Sequence, residues 1–145
     1  MATRSRIAIE DQDGTVRSIY CHWDGYPSHH GPILLEHYIT QEKVESLIEL
    51  GSISSLAPKT EIPEGVTHNF EEPAKGIVVA YHRDRGEALA IKSHPNVEAF
   101  VKSDVEQYGY VFTAAGEWLF VNGNKDSYTR ESILLESVLV EEDEE

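Results

Sequence analysis

Apolar residues recur at every second position in the first stretch of the chain, SRIAIED. Ile7 and Ile9 fall on one side, and Arg6, Ala8 and Glu10 on the other, the period of a strand. Asp13-Gly14 follows, a hairpin signal because glycine takes positive φ freely. The return segment, TVRSIYCHW, sends Val16, Ser18, Tyr20 and His22 one way and Arg17, Ile19, Cys21 and Trp23 the other. Both sets include large groups, which predicts a central strand covered on both faces.

The period then lengthens. In GPILLEHYI, Gly31 and Pro32 suit a helix start, since proline at the first helical position lacks only an N–H that would go unpaired. Thr40 is placed to cap a second helix, QEKVESLIEL, whose Val44, Leu47 and Ile48 form a stripe and which Gly51 ends. Residues 52–75 hold Pro58, Pro63 and Pro73 and little periodicity. Ile53, Leu56, Ile62, Val66 and Phe70 are available to pin them down, so they read as an ordered excursion. GIVVAYHRDRGEALAI reads as a second hairpin turning near Asp84, Arg85 and Gly86. Asn96 is placed to cap a short helix on which Val97, Phe100, Val101 and Val105 share a face. YGYVFTAAGEWLFVNG is a third hairpin, turning at Ala115-Gly116. TRESILLESVLVEEDEE reads as a helix capped by Thr129, with a late strand as the alternative. The sum is a single α+β domain over 1–140 and an acidic tail at 141–145. Its sheet is expected to be mainly antiparallel, about six strands in three hairpins, with roughly two to four helices inserted.

Composition narrows the function classes. A chain of 145 residues with 40% hydrophobic side chains builds a core without staples. No apolar run reaches the roughly 18 residues of a membrane span, and MATRSRIAIE has no apolar stretch of signal-peptide type. The single cysteine, Cys21, permits no internal disulfide, which fits a reducing cytoplasm. Net charge is −14, and removing the five charges of EEDEE leaves −9, so the body itself is acidic. That opposes direct binding to nucleic-acid phosphates. It suits solubility, or docking on a basic protein groove.

Candidate chemistry concentrates in two stretches. The first is SIYCHWDGYPSHHG. Alternation turns Tyr20 and His22 to one face and sends Trp23 with Cys21 to the other, so Trp23 is expected in the core and Tyr26 in the loop that meets a ligand. The second is AYHRDRGE, residues 80–87. Both contain His-x-Asp, as His22-Trp23-Asp24 and His82-Arg83-Asp84. Residues two apart on a strand share a face, so each pair would present imidazole and carboxylate together, for a metal or for a histidine oriented by an acid. Arg83 and Arg85 offer forks for phosphate, and Tyr20, Trp23, Tyr26 and Tyr81 offer stacking faces for a base. The candidate ligand pocket is therefore Tyr20, His22, Trp23, Asp24, Tyr26, His82, Arg83 and Arg85. No catalytic residue, resident metal or cofactor is assigned. Cys21 reads as a buried, inert thiol, and neither a Gly-x-Ser-x-Gly elbow nor a phosphate-binding glycine loop occurs.

SRIAIE, SIYCHWDGYP, LIELGSISSL, AYHRDRGE and the terminal aromatic hairpin, in that order, resemble a group of small accessory proteins of bacteriophages and prophages. The resemblance covers most of the chain, and the group has no settled activity. It implies a phage origin and a bacterial host cytoplasm, and it carries no catalytic residue across. The leading expectation is a non-enzymatic counter-defence protein that neutralises a host factor by sequestering a small anionic nucleotide. One alternative is an acidic, nucleic-acid-mimicking inhibitor of a basic host protein. Another is a metal-dependent hydrolase using His22, Asp24, His82 and Asp84. No membrane or direct nucleic-acid partner is expected. A homo-oligomer, in which a neighbour completes the pocket, is compatible with the small domain.

Overall fold

The structure is a computed structural model that describes residues 2–144 and, beyond Leu139, the backbone only. The side chains of the expected acidic tail, and Glu145 entirely, lie outside the described residues. In chain order the elements are β1 (Ser5–Glu10), β2 (Val16–Cys21), α1 (Pro27–His37), α2 (Gln41–Ile48), β3 (Ile53–Ser55), β4 (Val79–Ala80) and α3 (Tyr81–Arg85). There follow β5 (Lys92–His94), α4 (Val97–Lys102), β6 (Tyr108–Phe112), β7 (Trp118–Asn122), β8 (Ser132–Leu134) and α5 (Leu135–Glu144).

The fold is α+β around a mixed sheet of order β4-β3-β2-β1-β6-β7-β8, with β5 paired to β2 as well. The pairs β1–β2, β2–β5, β3–β4, β6–β7 and β7–β8 are antiparallel; β1–β6 and β2–β3 are parallel. The first and third hairpins form where the alternation places them. Gly14 and Gly116 take φ of 89° and 87° at their turns, positions where a side chain would be strained. In the first hairpin Ile7 faces Ile19 and Ser5 faces Cys21. β2 is central, with β1 on one edge and β3 and β5 sharing the other.

The strands bury different sets on their two faces. On one face Ile7, Ile9, Ile19, Tyr110 and Phe120 pack with Leu34, Leu47, Ile48 and Leu135, so α1, α2 and α5 cover this side. On the other, Ala8, Val16, Val111 and Val121 pack with Phe100 and Val101 of α4 and with Val105 in the loop that follows it. A short helix cannot shield a whole sheet face, and that leaves part of it open. Thr40 and Asn96 cap α2 and α4 as their positions predict, accepting the N–H groups of Lys43 at 3.2 Å and Ala99 at 2.8 Å.

Four local expectations are corrected. First, α1 starts at Pro27, not at Gly31-Pro32, because Pro27 already satisfies the N1 preference and Pro32 lies within the helix, on its exposed side. Second, 76–91 is not a hairpin: β4 runs directly into α3, which Gly86 ends at φ 74°. The Asp84 carboxylate reaches back to the Ala80 N–H at 2.8 Å, a local bond that competes with the strand ladder. Third, the C-terminal segment is strand and then helix, β8 followed by α5, and Thr129 sits in a turn on Asp126 instead of capping. Fourth, the described residues hold eight strands and five helices, more than expected, because several elements are only a few residues long. Within the excursion, Ile53 and Leu56 are buried as expected, whereas Ile62 and Val66 are exposed. No helix among the described residues is long and apolar enough to cross a membrane.

Candidate functional site

The first polar stretch leaves β2 at its C-terminal end. His22 and Trp23 continue alongside β3 through N–H bonds to the carbonyls of Ile53 at 3.1 Å and Ser54 at 3.0 Å. Asp24 then takes φ 57° and the chain turns away. Alternation fails at this corner, so Trp23 is 44% exposed instead of buried, with its ring edge-on to His22 at 4.7 Å. His22 and Asp24 therefore do not present one His-x-Asp face. Gly25 fixes the corner. Its N–H donates to the Thr3 carbonyl at 2.8 Å, its carbonyl accepts from the Tyr110 hydroxyl at 2.6 Å, and Ser5 leaves no room for a Cβ. Tyr26 is exposed at the N-cap of α1 and packs edge-on to His29.

Beneath this corner lies a chain of polar groups that sequence reasoning missed. The Ser5 hydroxyl is 3.1 Å from His30 Nε2, and His30 Nδ1 is 3.1 Å from His29 Nδ1. The spacing is that of a hydroxyl nucleophile and its base, yet Ser5 and His30 are both fully buried and no substrate reaches them. Burial, then the neighbouring His29, push the His30 imidazole down to about 3, so it is neutral. Burial pushes the adjacent Cys21 thiol up to about 12, which makes it inert as expected. The signal was available: Ser5 shares the inward parity of Ile7 and Ile9.

In the second stretch the helical turn of α3 separates what a strand would have aligned. His82 is exposed and contacts the Glu87 carbonyl at 2.6 Å. The Asp84 side chain points inward, 2% exposed against a His68 side chain that is 0% exposed. His68 Nδ1 accepts the Ala74 N–H at 2.9 Å, so Nε2 carries the proton and donates to Asp84 at 3.1 Å. Arg83 donates to both oxygens of Asp84, to Val78 O at 2.7 Å and to Thr60 O. Burial works to raise the Asp84 carboxyl, but the bonds from Arg83, Ala80 and His68 outweigh it and hold it below the usual carboxylate range. Arg83 is thus a rivet that ties the excursion to β4 and α3, and its donors are directed away from any ligand. Arg85 lies over Phe70 at 4.2 Å and Tyr81 at 5.0 Å and pairs with Glu87. Among the described residues no three His, Cys, Asp or Glu side chains come together as a metal site, and His22, Asp24, His82 and Asp84 do not converge.

What the two stretches share is a position. Cys21 pairs with Ile53 and Ile53 with Ala80, so β2 and the start of α3 stand one strand apart. On the sheet face opposite α1 and α2, the Tyr20 hydroxyl bonds His22 Nδ1 at 2.7 Å. Burial raises the Tyr20 hydroxyl's pKa; Arg4 pulls it down, and Glu106 and Tyr81 push it further up. Arg6 faces Tyr20 across the hairpin and bonds the Ser18 hydroxyl at 3.0 Å and the Ser18 carbonyl at 3.2 Å. Burial lowers the Arg6 guanidinium, opposed by Glu106 and Asp104. Lys92 opposes Ser18 from β5 on this same face, while His94, buried against Phe100, closes its floor with a 2.9 Å contact to Ser18. Among the described residues, no carboxylate lies within ion-pair distance of Arg4, Arg6 or Lys92. Arg6 and Lys92 therefore share one partly open face with Tyr20 and His22, and Glu106 and Asp104 act on Arg6 from beyond ion-pair distance. Arg6 and Lys92 were missed because they lie far apart in sequence and are joined only by the β1–β2 and β2–β5 registers.

Two clefts lie elsewhere. One, about 490 Å³, separates His37, Lys43 and Ser46 from Lys59, Thr60 and Glu61; the other, about 500 Å³, runs between α4 and residues 128–132. Neither includes a residue of the sequence-predicted pocket. Comparison with protein-family models, with curated proteins and with solved structures finds no match to the chain. The class that the fold defines is an α+β domain with a mixed sheet, one face of which carries Arg6, Lys92, Tyr20 and His22.

Proposed function

We propose that the protein is a phage-encoded binding protein that sequesters a small nucleotide-type anion on this open face, in the cytoplasm of a bacterial host. The observation that carries the reading is that Arg6 and Lys92, with no carboxylate within ion-pair distance of either among the described residues, share a face with Tyr20 and His22 in a chain of net charge −14. Arg6 and Lys92, paired with no carboxylate at ion-pair distance among the described residues, supply a local positive field that draws an anion, against the longer-range pull of Glu106 and Asp104. Arginine supplies planar donors matched to phosphate, and rings beside it supply stacking surface for a base. The roles expected of Arg83 and Arg85 pass to Arg6 and Lys92, since Arg83 pairs with Asp84 and Arg85 with Glu87, whereas Arg6 bonds only Ser18 and neither it nor Lys92 has a carboxylate within ion-pair distance among the described residues. The phage origin rests on the sequence segments that resemble accessory phage proteins.

The test is titration with a panel of mononucleotides and cyclic dinucleotides, followed by tryptophan fluorescence. Of the two tryptophans, Trp118 is buried at 5% exposure, so exposed Trp23 beside His22 reports the site. Arg6→Ala should weaken binding about ten- to a hundred-fold, the worth of one charge-assisted bond at roughly 1.5–3 kcal/mol. Bound ligand should be released chemically intact on heating. Lys59→Ala, in the cleft away from this face, should bind like the parent. A ligand recovered as product would replace sequestration with catalysis, and equal losses in Arg6→Ala and Lys59→Ala would remove the open face from the account.

A further inference from the structure

At the base of the Gly25 corner two histidines share one hydrogen bond. His29 and His30, in the first turn of α1, meet Nδ1 to Nδ1 at 3.1 Å, so one ring donates and the other accepts. His30 Nε2 in turn meets the Ser5 hydroxyl at 3.1 Å. His30 is fully buried and stays neutral, whereas His29 is half-buried and exchanges protons with solvent. A neutral imidazole carries one proton, so the two contacts of His30 are tied together. Where Nδ1 donates to His29, Nε2 accepts from Ser5. Where Nδ1 accepts from His29, Nε2 donates to Ser5, and the Ser5 proton turns to the Cys21 sulfur, a weak acceptor that faces it across the β1–β2 pair. The first arrangement is therefore the better one while His29 is neutral. It is closed to a charged His29, because both nitrogens of an imidazolium are donors.

We infer that His29, His30 and Ser5 form a proton-sensing relay: when acid charges His29, the His30 proton moves from Nδ1 to Nε2, and the buried Ser5 hydroxyl changes from donor to acceptor. Counted in protons, His29 gains one from solvent, His30 keeps one on its other nitrogen, and Ser5 keeps one and redirects it. Few other titratable groups face the pair. Tyr26 packs edge-on to His29 at 5.9 Å, and Tyr110 of β6 lies against His30 at 5.3 Å. Asp24 is exposed in the corner, and Glu36 and His37 lie together at the far end of α1. From α5, which packs on α1 at Gly31 through Leu139, the charged side chain among the described residues is Glu136, which is exposed. Among the described residues no carboxylate lies within ion-pair distance of His29 or His30. The Ser5 oxygen sits 2.8 Å from where a Cβ on Gly25 would lie, so the change is felt at the corner that carries exposed Trp23 and Tyr26.

The experiment is nitrogen NMR of the histidine rings in the whole, isotope-labelled chain, titrated from about pH 8 to about pH 5, the span in which an imidazole ordinarily changes charge. The shifts of the two ring nitrogens separate the Nδ1–H, Nε2–H and imidazolium forms. As His29 becomes imidazolium, His30 should stay neutral while its protonated nitrogen changes from Nδ1 to Nε2, both with one midpoint. In His29→Gln, whose fold circular dichroism checks, His30 should keep one form throughout. If that variant does not fold, the shared midpoint in the parent still decides. The inference is overturned by a His30 that holds the same protonated nitrogen while His29 charges, or that becomes charged itself. A His29 that stays neutral to about pH 5, or a change at His30 that persists in His29→Gln, would overturn it equally.

Discussion

Replacing Asp84 with alanine tests the rivet that holds the excursion on the sheet. The carboxylate accepts from Arg83 Nε at 2.8 Å, Arg83 Nη2 at 3.1 Å, His68 Nε2 at 3.1 Å and the Ala80 N–H at 2.8 Å. Alanine leaves the His68 and Ala80 donors unpaired in a place water does not reach, since the His68 side chain is 0% exposed. Removing one partner of a buried ion pair costs roughly 3–5 kcal/mol. The Arg83 side chain keeps 25% exposure and its bonds to Val78 and Thr60, so part of that loss is screened. The expected loss is about 2–3 kcal/mol, a large share of the roughly 5–15 kcal/mol that stabilises a domain. Urea unfolding with the slope measured for each protein reads the change, and amide exchange at Ala74 and Ala80 locates it. Acid should act in the same direction. A carboxyl held below its ordinary value contributes fully above the unfolded pKa of about 4 and loses that contribution as pH falls through its folded value. The parent should therefore lose stability below about pH 4 more steeply than Asp84→Ala. A midpoint for Asp84→Ala matching that of the exposed-acid control Glu64→Ala would refute the reasoning.

Three further outcomes are expected. Gly25→Ala would place a Cβ 2.7 Å from Ser5 Cβ and 2.9 Å from Thr3 O, so thermal unfolding should show a loss of about 1–3 kcal/mol. Trp23→Ala should change the melting temperature little, where a core tryptophan would cost about 3–5 kcal/mol. Cys21 should stay unreactive towards a disulfide reagent at mildly alkaline pH until the protein is unfolded, and prompt labelling of the native chain would contradict its burial.

The strands and caps were legible because their signals are local. Ile7 and Ile9, Gly14, Thr40 and Asn96 each act through neighbours a few residues away, and each sits where the pattern placed it. The parallel β1–β6 pairing was not legible, since it joins segments about a hundred residues apart with no turn between them to mark it. The second hairpin failed for a physical reason. VVAYHRD has strand composition, but Asp84 finds the Ala80 N–H, Arg83 and His68 at once, and that tertiary gain overrides propensity. The two polar stretches lie one strand apart, close in space as expected, yet the matched His-x-Asp pattern aligns neither pair. Trp23 was misplaced because alternation was carried past Cys21, where the ladder register ends, into a corner governed by Asp24 and Gly25. Arg6 and Lys92 carried no motif, and the registers that bring them to the Tyr20 face belong to the folded sheet.

The central claim is that the open face of β1 and β2, not either cleft, takes a nucleotide-type anion. Backbone and arginine side-chain NMR during titration with the nucleotide panel tests it most directly. Saturable shifts should concentrate at Tyr20, His22 and Tyr81 and at the Arg6 Nε–H, with Lys43 and Lys59 unmoved. Shifts gathering around Lys43 and Lys59, or none that saturate with any nucleotide, would contradict it.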